Sequence, residues 1–221
     1  MPSYPVIWLI RHSIRDDSLT TEKLSVTDLS ITDQGAKLAK KLAIKLREFV
    51  HPPEFIDPSE RHRIYVSPYR RTIETGLLIA AEYPKSQIII EEKLSEATMP
   101  FPIVKKTGLN LSSPPFLLPF LQSREIVSPE TREEVTTRAL KFIGEIQSLT
   151  GQDIFVVTHG SIIMLILCSI FDWYKKTTND GDIDVKNVYF PKYCNYVGVR
   201  YDGHKWNLMT SDFLSEPNNK L

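Results

Sequence analysis

Two apolar runs organise this chain: Val6-Ile7-Trp8-Leu9-Ile10 and Ile154-Phe155-Val156-Val157-Thr158. Both are short, rich in β-formers and uninterrupted by polar residues. That is the pattern of parallel strands buried on both faces of a sheet. Residues 63–66 and 88–90 read as two further short strands. Between them the period changes to that of helices. Leu38, Leu42, Leu46 and Phe49 form one stripe behind Thr32, a residue suited to cap a helix running to about Val50, where His51-Pro52-Pro53 stops it. Ile73, Leu77, Ala80 and Ala81 mark the buried face of a second helix after Ser67-Pro68. Val135, Ala139, Phe142, Ile143, Ile146 and Leu149 mark a third, with Gly151 as a stop signal. Residues 161–171 form the fourth. Near the C-terminus, 196–201 and 206–209 flank Asp202-Gly203, a hairpin signature.

Strands alternating with helices predict a three-layer α/β/α sandwich around a mostly parallel sheet, with the hairpin as an edge ribbon. In such sheets ligands bind beyond the carboxyl ends of the strands. Arg11-His12, Ser67-Pro68, Glu96 and His159 all follow predicted strands, so the topology directs them toward one edge. One domain is expected over 1–221. Residues 97–129 stand out within it: they hold six of the fifteen prolines, together with Phe101, Phe116 and Phe120. They are too proline-rich for regular structure and too apolar for a linker. Two compatible readings are a loop folded over the core and a lid that shapes a substrate pocket.

Composition narrows the function classes. A hydrophobic share of 42% supplies a core, and 27 basic residues balance 27 acidic ones, so no global field favours nucleic acid or membrane. Any cationic site must be local. The two cysteines, Cys168 and Cys194, form neither a disulfide framework nor a C-x-x-C metal motif. No basic region followed by a long apolar stretch opens the chain, so a reducing compartment, cytoplasmic or nuclear, is expected. Thr158-His159-Gly160-Ser161 interrupts the apolar stretch 154–171, which argues for strand, turn and buried helix rather than a membrane span.

The strand-end residues suit chemistry on a phosphoryl group. Its transition state spreads charge over three oxygens, and forked guanidinium donors match that charge. Arg11 and Arg71 are the candidates, with Arg15 as a third donor. Arg70 is turned about 100° from Arg71 on a helix, so the two do not both face one site. A neutral imidazole can attack phosphorus when its other nitrogen is held as a donor, commonly by a backbone carbonyl. His12 fits that role, and His159 can donate to the phosphoryl oxygens. Glu96 is the candidate acid for the leaving oxygen. His51, His62 and His204 lack such settings and read as surface residues. A metal reading uses His12, His159, Asp16 and Glu96 as ligands, but the nearby arginines repel a cation and no H-x-H or H-x-x-x-H spacing occurs.

In order along the chain, Arg11-His12-Ser13, Leu29-Ser30-Ile31-Thr32-Asp33-Gln34-Gly35, Ser67-Pro68-Tyr69-Arg70-Arg71-Thr72-Ile73-Glu74-Thr75, Leu94-Ser95-Glu96, Pro129-Glu130-Thr131 with Arg138, and Val157-Thr158-His159-Gly160 resemble the motifs of the histidine phosphatase superfamily, the phosphoglycerate mutase-like group. The resemblance spans about residues 6–161. It implies that His12 is the phosphorylated nucleophile, that Arg11, Arg71 and His159 bind the phosphoryl group, and that Glu96 is the proton donor. It implies no metal and no cofactor. Arg11-His12-Ser13-Ile14-Arg15 is similar to the branch with a second arginine after the signature, which includes the ubiquitin-associated, SH3-containing tyrosine phosphatases, and this assigns Arg15 a phosphate contact.

Two departures shape the expectation. Ser13 stands where the family has glycine, and a positive φ there would strain a serine. Residues 97–101 lack the glycines and tryptophan typical of mutases, which favours a phosphatase over a mutase. Some members serve as binding modules, including a subunit of a polymerase III initiation factor. Three functions therefore stand in order: a metal-independent phosphomonoester hydrolase acting on a phosphorylated small molecule or phosphoprotein, a catalytically weak interaction domain, and a phosphoglycerate-type mutase. Oligomeric state is not legible from the chain.

Overall fold

The computed structural model describes residues 4–16, 29–50, 62–83, 85–96, 130–149, 152–171 and 191–212, apart from the side chains at 49 and 50. Among the described residues, six strands form one sheet: β1 (Ile7–Arg11), β2 (Arg63–Val66), β3 (Gln87–Ile90), β4 (Ile154–Thr158), β5 (Tyr196–Tyr201) and β6 (Trp206–Ser211). Their order is β3-β2-β4-β1-β5-β6. The first four are mutually parallel, and the terminal hairpin adds two antiparallel strands. The helices are α1 (Asp33–Val50), α2 (Arg70–Ala80), α3 (Arg132–Gln147) and α4 (Gly160–Ile170), with a 3-10 turn at Glu92–Leu94.

Alternation along the two central strands explains the three layers. Trp8 and Ile10 of β1, with Phe155 and Val157 of β4, face α1 and α2. Ile7 and Leu9, with Ile154 and Val156, face α3 and α4. A strand covered on both sides needs apolar side chains at every position, which is why these runs show no polar alternation. One side chain anchors the start of the sheet. The Asp153 carboxylate accepts the Val6 amide at 3.0 Å and the Trp8 indole N–H at 3.1 Å.

The helix ends follow local chemistry. Thr32 Oγ1 accepts the Gly35 amide at 2.9 Å and caps α1. Thr131 and Glu134 form a capping box at the start of α3. Leu38, Leu42 and Leu46 pack inward on α1 as their spacing predicts; the side chain of Phe49 lies outside the described residues, as do Gly151 and His51.

Three expectations need correction. On α2 the buried face is Thr72, Ile73, Thr75, Gly76 and Ile79, while Ala81 is exposed past the helix end. The helix is rotated because Gly76 meets β2 directly: a Cβ there would come within 2.5 Å of Val66 Cγ1. His62 is buried rather than on the surface, its ring packed edge-on against Tyr83 and Phe155. Leu149 lies beyond the end of α3 and is only partly buried. His204 is exposed, as expected. The proline-rich segment 97–129, with its expected lid role, lies outside the described residues.

Candidate active site

Parallel strands end together, and this sheet delivers its polar residues to one edge. His12 follows β1, Ser67 follows β2, and His159 follows β4. The register Arg11↔Thr158 places the two histidines side by side, with ring centroids 5.2 Å apart. Arg71, in the first turn of α2, lies between them and is 2% exposed. Its Nε donates to His12 Nε2 at 3.3 Å, and one terminal nitrogen donates to His159 Nδ1 at 3.2 Å and to Glu96 Oε2 at 2.6 Å. His159 occupies the residue just before α4 and Arg71 lies in the first turn of α2, so the positive ends of both helices border the site.

The hydrogen bonds define the rings. His12 Nδ1 lies 2.8 Å from the Ser13 carbonyl, which can only accept, so Nδ1 carries the proton and Nε2 keeps its lone pair. His159 Nδ1 accepts from Arg71, which leaves Nε2–H to donate to Ser67 Oγ at 2.9 Å. Burial, then the Arg71 charge, pushes His12 down to about 3 and holds His159 well below its ordinary value. Both imidazoles are therefore neutral near pH 7.

That depression carries a stability prediction. In the unfolded chain each ring protonates below pH 6.5; in the folded protein His12 stays neutral down to about 3. Below pH 6.5 the unfolded state binds more protons, so stability conferred above 6.5 is lost as pH falls. The slope approaches about 1.4 kcal/mol per pH unit for each ring. The urea midpoint at pH 5 should lie well below that at pH 7.5. Equal midpoints would contradict neutral buried rings.

Arg11 is partly exposed. Its guanidinium donates to the Pro191 carbonyl at 2.6 Å and stacks over the Tyr193 ring at 4.3 Å. Arg15 forms an antiparallel bridge with Ile31, and its charge acts on both His12 and Arg11. Glu96 follows the 3-10 turn and reaches Arg71 while 41% of its side chain remains exposed; its Oε2 is 3.6 Å from His159 Nδ1. Arg70 pairs with Glu74 at 2.7 Å. Among the described residues, no group of three or more His, Cys, Asp or Glu side chains could hold a metal ion. No described helix is long and apolar enough to cross a membrane.

Ser13 carries no positive φ; among the described residues only Cys194, at 58°, does so without being glycine. Ser13 is buried, donates its hydroxyl to the Gly35 carbonyl at 2.6 Å and donates its amide to Thr75 Oγ1 at 3.0 Å. The glycine requirement sits instead at Gly35, where a Cβ would come within 2.6 Å of the Ile14 carbonyl oxygen. The strain feared at Ser13 is absent.

Sequence reasoning missed several neighbours. Tyr69 stands edge-on to His159 at 4.9 Å and lies beneath the Arg71 guanidinium at 4.5 Å. Its place inside the Ser-Pro-x-x-Arg motif was the available signal. Tyr193 stands 5.6 Å from His12 and had no motif to mark it. Only the antiparallel pairing of β5 with β1 brings its segment there, with the Cys194 amide donating to the Arg11 carbonyl at 3.2 Å.

The family model for the histidine phosphatase superfamily (branch 1) matches residues 7–211. The chain is 29% identical over 157 residues to an uncharacterized phosphoglycerate mutase family protein, R708, of Acanthamoeba polyphaga mimivirus, covering 71% of each. Its fold is similar to that of an ecdysone phosphate phosphatase from Bombix mori in complex with tungstate (TM-score 0.61, 16% identity, 98% of this chain and 96% of that one). It is similar as well to Bacillus stearothermophilus YhfR (TM-score 0.59, 17% identity, 96% and 98%). With a family model running from the first strand to the last and the expected three-layer architecture present, this chain belongs to the histidine phosphatase superfamily.

Proposed function

We propose that this protein is a phosphomonoester hydrolase that works through a phosphohistidine on His12. The observation that carries the reading is the ring pair itself: His12 Nε2 bears a lone pair in a pocket shared with Arg71 and His159. In the first step the lone pair attacks phosphorus, the bond from phosphorus to the leaving oxygen breaks, and Glu96 gives that oxygen a proton. The Nδ1–H bond to the Ser13 carbonyl stabilises the positive ring that results. In the second step Glu96 takes a proton from water, the oxygen attacks phosphorus, and the P–N bond breaks to release inorganic phosphate and free His12. Arg71, Arg11 and Arg15 bind the phosphoryl oxygens, and His159 joins them in the tautomer that carries its proton on Nδ1, with the Ser67 hydroxyl then donating to Nε2.

Glu96 is bound to Arg71 in this structure. A phosphoryl dianion competes for the same guanidinium. Phosphatases among the structural neighbours, such as the ecdysone phosphate phosphatase, support hydrolysis as the reaction type. The substrate class is a phosphorylated small molecule or a phosphoprotein.

Turnover of p-nitrophenyl phosphate in EDTA tests the proposal. Steady release of nitrophenol and phosphate is expected. Transfer of phosphate between positions of phosphoglycerate with little release would instead identify a mutase, and phosphate binding without turnover of any phosphomonoester would identify an interaction domain.

A further inference from the structure

The Glu130–Arg138 pair belongs to a motif that the proposed chemistry leaves without a role, yet it lies against the turn that carries Glu96. Arg138, on α3, is locked by Glu130: its Nε donates to Oε1 at 2.6 Å and its Nη2 to Oε2 at 2.9 Å. The remaining donors point at backbone. Nη1 reaches the Lys93 carbonyl at 2.6 Å and Nη2 the Glu96 carbonyl at 3.4 Å. From the other side Thr158 Oγ1 donates to the Leu94 carbonyl at 2.8 Å. Leu94 is buried and anchors the end of the turn, but Glu96 is 41% exposed, so packing alone does not fix its carboxylate.

We propose that Arg138 is a positioning residue for Glu96, clamping the backbone of 93–96 so that the carboxyl stays within reach of the leaving oxygen. The inference rests on Glu96 being the proton donor. A planar fork is needed: one face grips a carboxylate while the outer nitrogens reach two carbonyls, which a single ammonium cannot do. Arg138 also lies near enough to His159 to act on its charge state, so a purely electrostatic role must be separated from the clamp.

The test compares leaving groups. Nitrophenolate departs without a proton, whereas the oxygens of phenyl phosphate and of an alkyl phosphate need one. In Arg138→Met, kcat/KM, which reports the leaving-group step and not hydrolysis of the phosphohistidine, should fall about 10-fold or more for phenyl phosphate and by less than about 3-fold for p-nitrophenyl phosphate. Glu96→Gln should show the same selectivity, and the double variant should be no worse than Glu96→Gln alone. Arg138→Lys keeps the charge and should behave like Arg138→Met. Should Arg138→Met fail to fold, Glu130→Gln loosens the same fork and carries the comparison. Equal losses in kcat/KM on all substrates, or full rescue by lysine, would overturn the clamp.

A second readout needs no turnover. The amides of Leu94 and Ser95, bonded to the carbonyls of Glu91 and Glu92, should exchange hydrogen faster in Arg138→Met while β4 stays protected. Unchanged exchange there would overturn the proposal even in an active enzyme. If the wild-type protein hydrolyses no phosphomonoester, the proposed function fails, and the exchange measurement still decides the clamp.

Discussion

Replacing His12 with alanine should reduce phosphomonoester turnover by about 10³-fold or more, to the background reaction. The reason is specific to the nucleophile. The proposed reaction divides hydrolysis at a covalent P–N bond, and no neighbouring side chain can supply it. His159 presents Nδ1 to the site, but that nitrogen accepts from Arg71 while Nε2 is engaged with Ser67, so its ring is held for binding. The variant should still bind inorganic phosphate, because Arg71, Arg11 and His159 remain. Labelled substrate quenched in alkali should leave phosphate on the wild-type chain and none on His12→Ala. Unchanged turnover in that variant would remove the nucleophile from the proposal. Loss of turnover together with loss of phosphate binding would point to a collapsed pocket.

The second large effect is expected at Arg71. One guanidinium contacts both imidazoles and Glu96, so Arg71→Met removes three interactions while keeping much of the apolar stem. Loss of a guanidinium that faces transition-state charge costs about 10³-fold or more in phosphoryl transfer. The decrease should appear in kcat/KM, and phosphate binding should weaken with it, in contrast to His12→Ala. A further signature comes from the rings. After burial, the Arg71 charge is the largest cause of the depression at both His12 and His159. Without it their folded values rise toward the unfolded one, so the total stability lost on acidification shrinks. Denaturation at several pH values reads this directly. An unaltered acid dependence would show that Arg71 does not control the rings, and a small kinetic effect would move the phosphoryl pocket elsewhere.

These two residues also show what makes the site readable. A helix turn buries Arg71 between the two rings while Arg70 pairs with Glu74, and adjacent positions on a helix differ by about 100°. Strand ends place His12 and His159 because parallel neighbours in register finish together. Such constraints are local or topological, and residue spacing carries them. The misreadings have a different origin. His62 and Ala81 exchanged their expected environments because burial there depends on Tyr83, Phe155 and the close approach of Gly76 to Val66. Ser13 looked costly in isolation and proved to be a buried hydrogen-bonding link between β1, α1 and α2.

By itself, the sequence determined the elements, the sheet edge to which the polar strand-end residues come, and the ordered motifs that mark the superfamily. Short-range rules of apolar period, capping and turn chemistry act through neighbouring residues, so a linear reading can follow them. Only the tertiary structure decided that Arg71 would serve both rings, that Glu96 would lean on it, that Tyr193 would stand beside His12, and that Arg138 would grip the turn below Glu96. Those contacts join residues tens to well over a hundred positions apart. Their geometry depends on how whole helices seat on the sheet, which no local pattern encodes.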